Sequence, residues 1–495
     1  MATSAAQTGL RHRSIGFWES LALSVEAMGP LLGALSVAPL IAISAGFSAP
    51  FMVLVCGIAM FIVALTIGRF ARRLPSAASI YSYVSHGLGE RAGFLSTWLS
   101  FMYYVLFVPQ LMLAFGLYAH SGMNYVFGID IAWWIWALFA GAIALTLSLV
   151  GIRLSTRIDL GLAIIADLVL LIASIALVVS APHLSLGSLS PTHAGGGFTG
   201  LSLAIASGVL IYLGFEQSFT LGEEVKDPHG NVPKAIYVAL ISIGAVLLFA
   251  TFAMVSAFGS HGMAALTAAN TNDGTPWWAA LHRVGLGTGW RDALSLVIMT
   301  SVLGNMIASH NAVVRIQYGM GRAKALPSAF GRTGSRQTPY FAICVQIGIS
   351  VLVTLIMGLA WNTTKAFGFL GFTNGLAGAI AFILVLLAAM LYFTKVEPEK
   401  GLVRNLVIPG VGIAILIPAV YTAFYPNPGA PLKWAPYVIL GWTLLGGIYL
   451  LARDRRAGVV DVDYAFAEIG EAPPADAAAP AGPAVPAGSF VTEPA

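Results

Sequence analysis

Gly29-Pro30-Leu31-Leu32-Gly33, and in the second half of the chain the run from Gly208 to Gly214-Phe215-Glu216, decide how this sequence folds. Both lie inside long apolar segments, 20–46 and 200–221, of the length needed to cross a hydrocarbon core with about 20 residues. Both are weak places for a helix. Pro30 has no N–H and clashes with the turn before it, and glycine carries little helix propensity, so the chain can unwind at each place. Unwound backbone at bilayer depth is tolerated only where protein buries it or a wet cavity faces it. The two breaks therefore predict an interior, not a lipid-facing, position for both segments.

Ten further apolar segments flank these two: 50–70, 91–119, 131–151, 158–180, 234–258, 291–320, 339–360, 366–393, 405–425 and 434–453. The expected fold class is an all-α polytopic membrane protein with twelve transmembrane helices. The runs are apolar all round and too long for the alternating strands of a membrane barrel. Composition agrees: the 495 residues are 58% hydrophobic and 9% charged, against roughly 25% charged in soluble domains. An ordinary soluble enzyme is excluded. Counting Lys and Arg over alternate loops puts 21 on one side and four (Arg283, Arg291, Lys365 and Lys433) on the other. Under the positive-inside rule both termini face the cytoplasm of a cell or inner membrane.

Segments one and six are five apart, and five is odd, so a second five-helix unit beginning at segment six runs through the membrane in the opposite sense. This predicts a 5+5 inverted repeat, with repeat one at 19–180, repeat two at 199–393, and helices 11 and 12 at 403–455. Paired interruptions at matching places of two inverted units mark the solute site of secondary transporters. The half-helix after Pro30 would offer free amides of Leu32, Gly33 and Ala34 to a carboxylate. The first half of segment six would end in free carbonyls around Leu210 to Leu213, suited to an ammonium group. Gly29 and Leu31 on one break, and Tyr212, Gly214 and Phe215 on the other, complete the expected walls.

The second break resembles a known pattern. Gly214-Phe215-Glu216, followed by Gly222-Glu223-Glu224-Val225-Lys226-Asp227-Pro228 and Asn231-Val232-Pro233-Lys234-Ala235-Ile236, is similar to the sixth span and following loop of the amino acid-polyamine-organocation (APC) superfamily. Arg72-Arg73-Leu74-Pro75 through Tyr83-Val84, and Arg315 to Tyr318 with Gly321-Arg322 and Leu326-Pro327, resemble two other stretches of that superfamily. The resemblance spans about residues 15–455 and implies a LeuT-like carrier of amino acids or amines. One departure stands out. Pro30, Leu31, Leu32 and Leu35 occupy positions where the superfamily often has small residues, which brings amines lacking an α-carboxylate into the expected substrate range.

Charges at membrane depth are expensive, about 2.5–3.5 kcal/mol for Asp at a helix centre. Glu26, Asp167 and Glu216 nonetheless lie within segments one, five and six, with no Lys or Arg at comparable depth. An acidic interior must bind protons or a cation, so these three are the expected proton-coupling residues. Glu216 and Glu26 fall on the same side of their breaks and are expected to lie close together. Glu216 could alternatively cap its own half-helix. Asn305 and Ser309, four apart on segment eight, share a face. With Tyr104, Gln110, Phe372 and Asn374 they are candidate walls, the aromatics suiting an ammonium through cation–π contact.

The remaining sequence adds little chemistry. Cys56 and Cys344 sit in apolar runs as packing residues, no metal or cofactor site is expected, and Gly285-Leu286-Gly287 lacks the strand-turn-helix setting of a nucleotide loop. The basic rim suits anionic membrane lipids rather than nucleic acid. Residues 1–18 are expected to form a cytoplasmic N-terminus ahead of the 19–456 transporter domain. Residues 457–495, rich in Ala, Pro and Gly and carrying six acidic residues, are expected to be a disordered cytoplasmic tail. The leading expectation is alternating-access transport of a zwitterionic or cationic amino acid or organic amine, coupled to protons. An inorganic-cation (potassium-type) symporter on the same scaffold and a non-transporting membrane receptor are the alternatives.

Overall fold

The computed structural model describes residues 16–457 apart from 75–79, 151–155, 182–183, 217–227, 270–274, 323–325, 335–337 and 427. The expectation of a disordered tail, and the resemblance over Gly222–Asp227, lie outside the described residues. Every regular element among those described is helical. The first apolar segment is divided: α1 (Phe17–Met28) ends before Gly29, α2 (Pro30–Leu32) restarts the helix, Gly33–Val37 is a π turn, and α3 (Ala38–Ala45) completes it. Then follow α4 (Ala49–Arg73), a short α5 (Ile80–Leu88), α6 (Glu90–Phe127), α7 (Trp133–Val150) and α8 (Thr156–Ser180). The second half contains α9 (Gly197–Leu210), α10 (Pro228–Phe258), two short helices α11 (Met263–Ala268) and α12 (Thr275–Arg283), α13 (Thr288–Arg322), α14 (Tyr340–Trp361), α15 (Thr363–Val396), α16 (Ile408–Phe424) and α17 (Ala435–Ala457).

Among the described residues nine helices are long and apolar enough to cross a membrane, and two shorter apolar ones lie at Ile164–Ser180 and Gly197–Leu210. The protein is a multi-pass membrane protein. Burial separates its layers: 89% of the most apolar window of Glu90–Phe127 is buried within the protein, against 22% for Leu432–Ala452. Thus α6 is an internal post, while α17 presents Leu444 and Ile448 to lipid. The second internal post is α15, which packs on α4, α5, α6, α9, α14, α16 and α17. Its approach to α9 needs glycine, because a Cβ on Gly375 would overlap the Ala206 carbonyl. Close backbone contact of this kind substitutes for hydrophobic burial as a driving force inside lipid.

Pro109 interrupts the hydrogen-bond ladder of α6 and takes the donor from the Val105 carbonyl, four residues back. Gln346 of α14 replaces that donor: its Nε2 reaches Val105 O at 3.1 Å and Ser350 Oγ at 3.2 Å. Its Oε1 accepts from Gln317 Nε2 of α13 at 2.8 Å. A buried amide thereby satisfies the proline defect and joins three helices.

A polar clamp closes the end of the bundle that carries most of the basic residues. Glu397, just after α15, accepts from Arg69 Nη2 at 3.0 Å and from Arg73 Nε at 2.8 Å, both on the last turns of α4. Arg69 also donates to Asn405 Oδ1 at 2.8 Å and lies over the Phe393 ring at 3.9 Å. Burial works against ionisation of Glu397, but its two arginine partners outweigh that and hold it below the ordinary glutamate range. A carboxylate so depressed contributes stability above its unfolded-state value, about 4.3, and loses it as pH falls through the folded-state value. Glu397→Gln is therefore expected to lower the melting temperature of purified protein at pH 7. Each charge-assisted bond lost is of order 1.5–3 kcal/mol, less for the half-exposed Arg73. The gap between wild type and variant should narrow as pH falls below the ordinary glutamate range; a constant gap at all pH values would contradict this.

Candidate functional site

Gly29 is the hinge of the first break. It adopts φ 55, ψ 63, the left-handed conformation that glycine alone enters cheaply. A Cβ there would overlap Nδ2 of Asn305 on α13. The break is short, since Gly33 N–H already donates to Gly29 O at 2.9 Å. The Gly33 amide, expected to be free, is thus used within the chain. The first-turn amides without an intrahelical acceptor are those of Leu31 and Leu32, directly after Pro30. The reason is local: the left-handed hinge falls on Gly29, so the helix resumes at Pro30 itself.

The second break follows α9. Val209 O accepts from both Tyr212 N and Leu213 N at 3.1 Å, and Leu210 O accepts from Leu213 N at 3.1 Å. This tightens the last turn and takes up the Leu210 carbonyl, leaving those of Ile211, Tyr212 and Leu213 without a backbone donor among the described residues. Gly214 then turns with φ 111. Its N–H donates to Glu216 Oε2 at 3.1 Å. The other carboxyl oxygen accepts from Tyr103 Oη at 2.9 Å and Tyr104 Oη at 3.1 Å, both on α6. Glu216 is 5% exposed. It accepts from two tyrosines and from the backbone of its own break; the half-helix it was alternatively expected to cap would continue into 217–227, outside the described residues.

The two breaks meet. A Cβ on Gly33 would stand 3.1 Å from Ile211 Cγ1, and one on Gly214 would overlap the carbonyl of Ala27. The chains run antiparallel there, 27 opposite 214 and 33 opposite 211. Tyr212 is directed away and donates to Val53 O of α4 at 2.9 Å, while Phe215 packs on Phe382 at 5.8 Å between ring centroids. Both side chains brace the break rather than point across it.

Around this junction, Ser309 donates to Asn305 Oδ1 at 3.1 Å, leaving Asn305 Nδ2 directed at Gly29. Gln110 of α6 accepts from Asn374 Nδ2 of α15 at 2.8 Å, and the Gln110 amide and a Leu210 methyl both abut Gly371. Phe372 is buried in the same helix. Among the candidate wall side chains none is more than 6% exposed, so the conformation is closed over the junction. Glu26 turns its Oε1 toward Gly304 of α13, and the donors to Glu216 are Tyr103, Tyr104 and Gly214. Asp167 is half-buried on α8, which packs on α1, α2, α10 and α13. Sequence reading missed Tyr103, whose only signal was its pairing with Tyr104.

A helical membrane bundle built round two broken segments whose unwound turns meet in its interior has the architecture of a membrane transporter. The comparisons make the class specific: the chain belongs to the amino acid permease family, whose profile matches residues 26–446. It is 25% identical over 431 residues to the L-asparagine permease of Escherichia coli, covering 80% of this chain and 82% of that one. It is also 25% identical over 434 residues to the methylthioribose transporter of Bacillus subtilis, covering 82% and 86%. A crystal structure of a mutant manganese transporter of Eremococcus coleocola has the same fold, with TM-score 0.56, 14% identity, and coverage of 89% of this chain and 97% of that one.

Proposed function

We propose that this protein is a secondary transporter of an amino acid or related amine, working by alternating access and coupled to protons. The observation that carries the reading is the meeting of the two breaks, Gly33 against Ile211 and Gly214 against Ala27. The amides of Leu31 and Leu32, with Asn305 Nδ2 beside them, form a donor pole. The carbonyls of Ile211 to Leu213 form an acceptor pole opposite. A zwitterion fits both poles at once, which agrees with the substrate class in the asparagine permease's name.

The finer architecture belongs to the same proposal. Ser24–Arg73 spans 50 residues, which as one helix would be about 75 Å long at 1.5 Å per residue, more than twice the hydrocarbon thickness. Divided at Gly46–Ser48 it makes two passes, and with the two shorter apolar helices the count becomes twelve. Helices to α15 then group as a 5+5 inverted repeat, with both termini on the Arg-rich side.

Asp167 is the residue we assign first to proton exchange, ahead of Glu26 and Glu216. Among the described residues it has no hydrogen bond or ion pair, whereas discharging Glu216 would weaken the charge-assisted bonds it accepts from Tyr103, Tyr104 and Gly214. The test is uptake of radiolabelled L-asparagine and a panel of other amino acids and amines into proteoliposomes. We expect saturable uptake of at least one compound, raised about tenfold by a proton gradient directed inward. Asp167→Asn is expected to abolish that stimulation while exchange persists. No uptake from the whole panel would overturn the transport reading, and stimulation surviving in Asp167→Asn would overturn the proton assignment.

A further inference from the structure

We propose that Trp277 is a positioning residue of the transport cycle: its indole N–H is a latch that holds the outer half of the first broken segment closed. The argument begins with Pro39. In the π turn Gly33–Val37 the amide of Ala38 donates five residues back, to Gly33 O. In that register the next amide would serve Ala34 O, but the next residue is Pro39, which has none. The Ala34 carbonyl is therefore orphaned by the sequence itself, in a turn where Ala34 and Leu35 are buried. An unsatisfied buried carbonyl is costly, and the donor that satisfies it comes from elsewhere in the chain: Trp277 Nε1 of α12 at 2.8 Å.

Trp277 is completely buried, and α12 packs on α10, α11 and α13. Beyond it, α11 packs on α3, and Arg283 at the far end of α12 donates to Ala257 O of α10 at 3.4 Å and lies over Phe258 at 5.3 Å. The pair α11–α12 thus forms a strap between α10 and the outer half of the first segment, on the face that the charge partition assigns to the outside. Moving α2–α3 away from α12 must break the Trp277 bond. Opening to the outside also lets water reach Ala34 O, so the bond is exchanged for hydration. The latch biases the closed state without locking it.

The inference rests on the alternating-access reading, and its test uses no substrate. Leu40→Cys, half-buried on α3, is introduced with Cys344→Ser; the remaining Cys56 is fully buried. A membrane-impermeant maleimide added outside sealed proteoliposomes then reports the fraction open. Trp277→Phe keeps the ring and loses the donor, and is expected to raise the labelling rate about five- to tenfold, the range one hydrogen bond to a buried carbonyl commands. Pro39→Ala supplies the missing amide to Ala34 O, so in that background Trp277→Phe should change labelling less than twofold. A packing role for the ring would give the same increase in both backgrounds and would overturn the latch, as would unchanged labelling. If Trp277→Phe does not survive purification with Pro39, it is expected to do so with Pro39→Ala; failure there also overturns the inference. Uptake of the same labelled panel of amino acids and amines on these vesicles separates the readings. Coupled labelling without any uptake would count against transport alone.

Discussion

Gly214→Ala is expected to reduce uptake at least a hundredfold, to background in a proteoliposome assay. Two independent penalties act at this position. A φ of 111 lies where side-chain-bearing residues are strained, by about 1–3 kcal/mol. The added methyl would overlap the Ala27 carbonyl on the facing break, and overpacking of this sort costs another 1–3 kcal/mol or so. Backbone cannot swing aside as a side chain can, so either Gly214 leaves its turn or the first segment moves off the second. The matching control is Gly447→Ala on α17, where a Cβ meets nothing within 4 Å and uptake should be unchanged. Wild-type uptake by Gly214→Ala would mean that the breaks do not work in the contact seen here.

Glu216→Gln is expected to have the second-largest effect, lowering both gradient-driven uptake and exchange by about a hundredfold while the protein still folds. The carboxyl group accepts three bonds and donates none. A glutamine must turn its NH2 toward one side. Facing the tyrosines, it can be accommodated, because a hydroxyl can rotate from donor to acceptor. Facing Gly214, it meets a second donor that cannot reverse. The variant therefore keeps its bulk packing and loses charge-assisted hold on the turn, about 1.5–3 kcal/mol per bond lost or weakened. Uptake and exchange are to be measured side by side. Loss of the proton-driven component alone would move the coupling role from Asp167 to Glu216.

The helices were legible because each is a long apolar run bounded by charge or turn residues. The segment expected at 91–119 extends in the structure to Glu90–Phe127, since its last turns pass into more polar sequence that hydropathy cannot credit to a span. Both breaks were visible as Gly and Pro at depth, but their hydrogen-bond register was not. Whether the helix restarts at Pro30 or two residues later depends on the left-handed turn at Gly29, which Asn305 packs against from another helix. The Glu216 donors depend likewise on how α6 is rotated toward the second break. Trp277 was beyond reach for the same reason: its acceptor lies more than two hundred residues earlier, and nothing in the local pattern of α12 distinguishes one of two adjacent tryptophans. Distances along the chain measure poorly what a bundle brings together.

The amide that mends α6 carries an implication for the protein's history. Proline at 109 needs glutamine at 346, and a chain that regained an N–H at 109 would leave Gln346 with a donor too many in a dry interior. Neither position is free to drift alone. Two sites on separate helices and remote in sequence are thus expected to be inherited together.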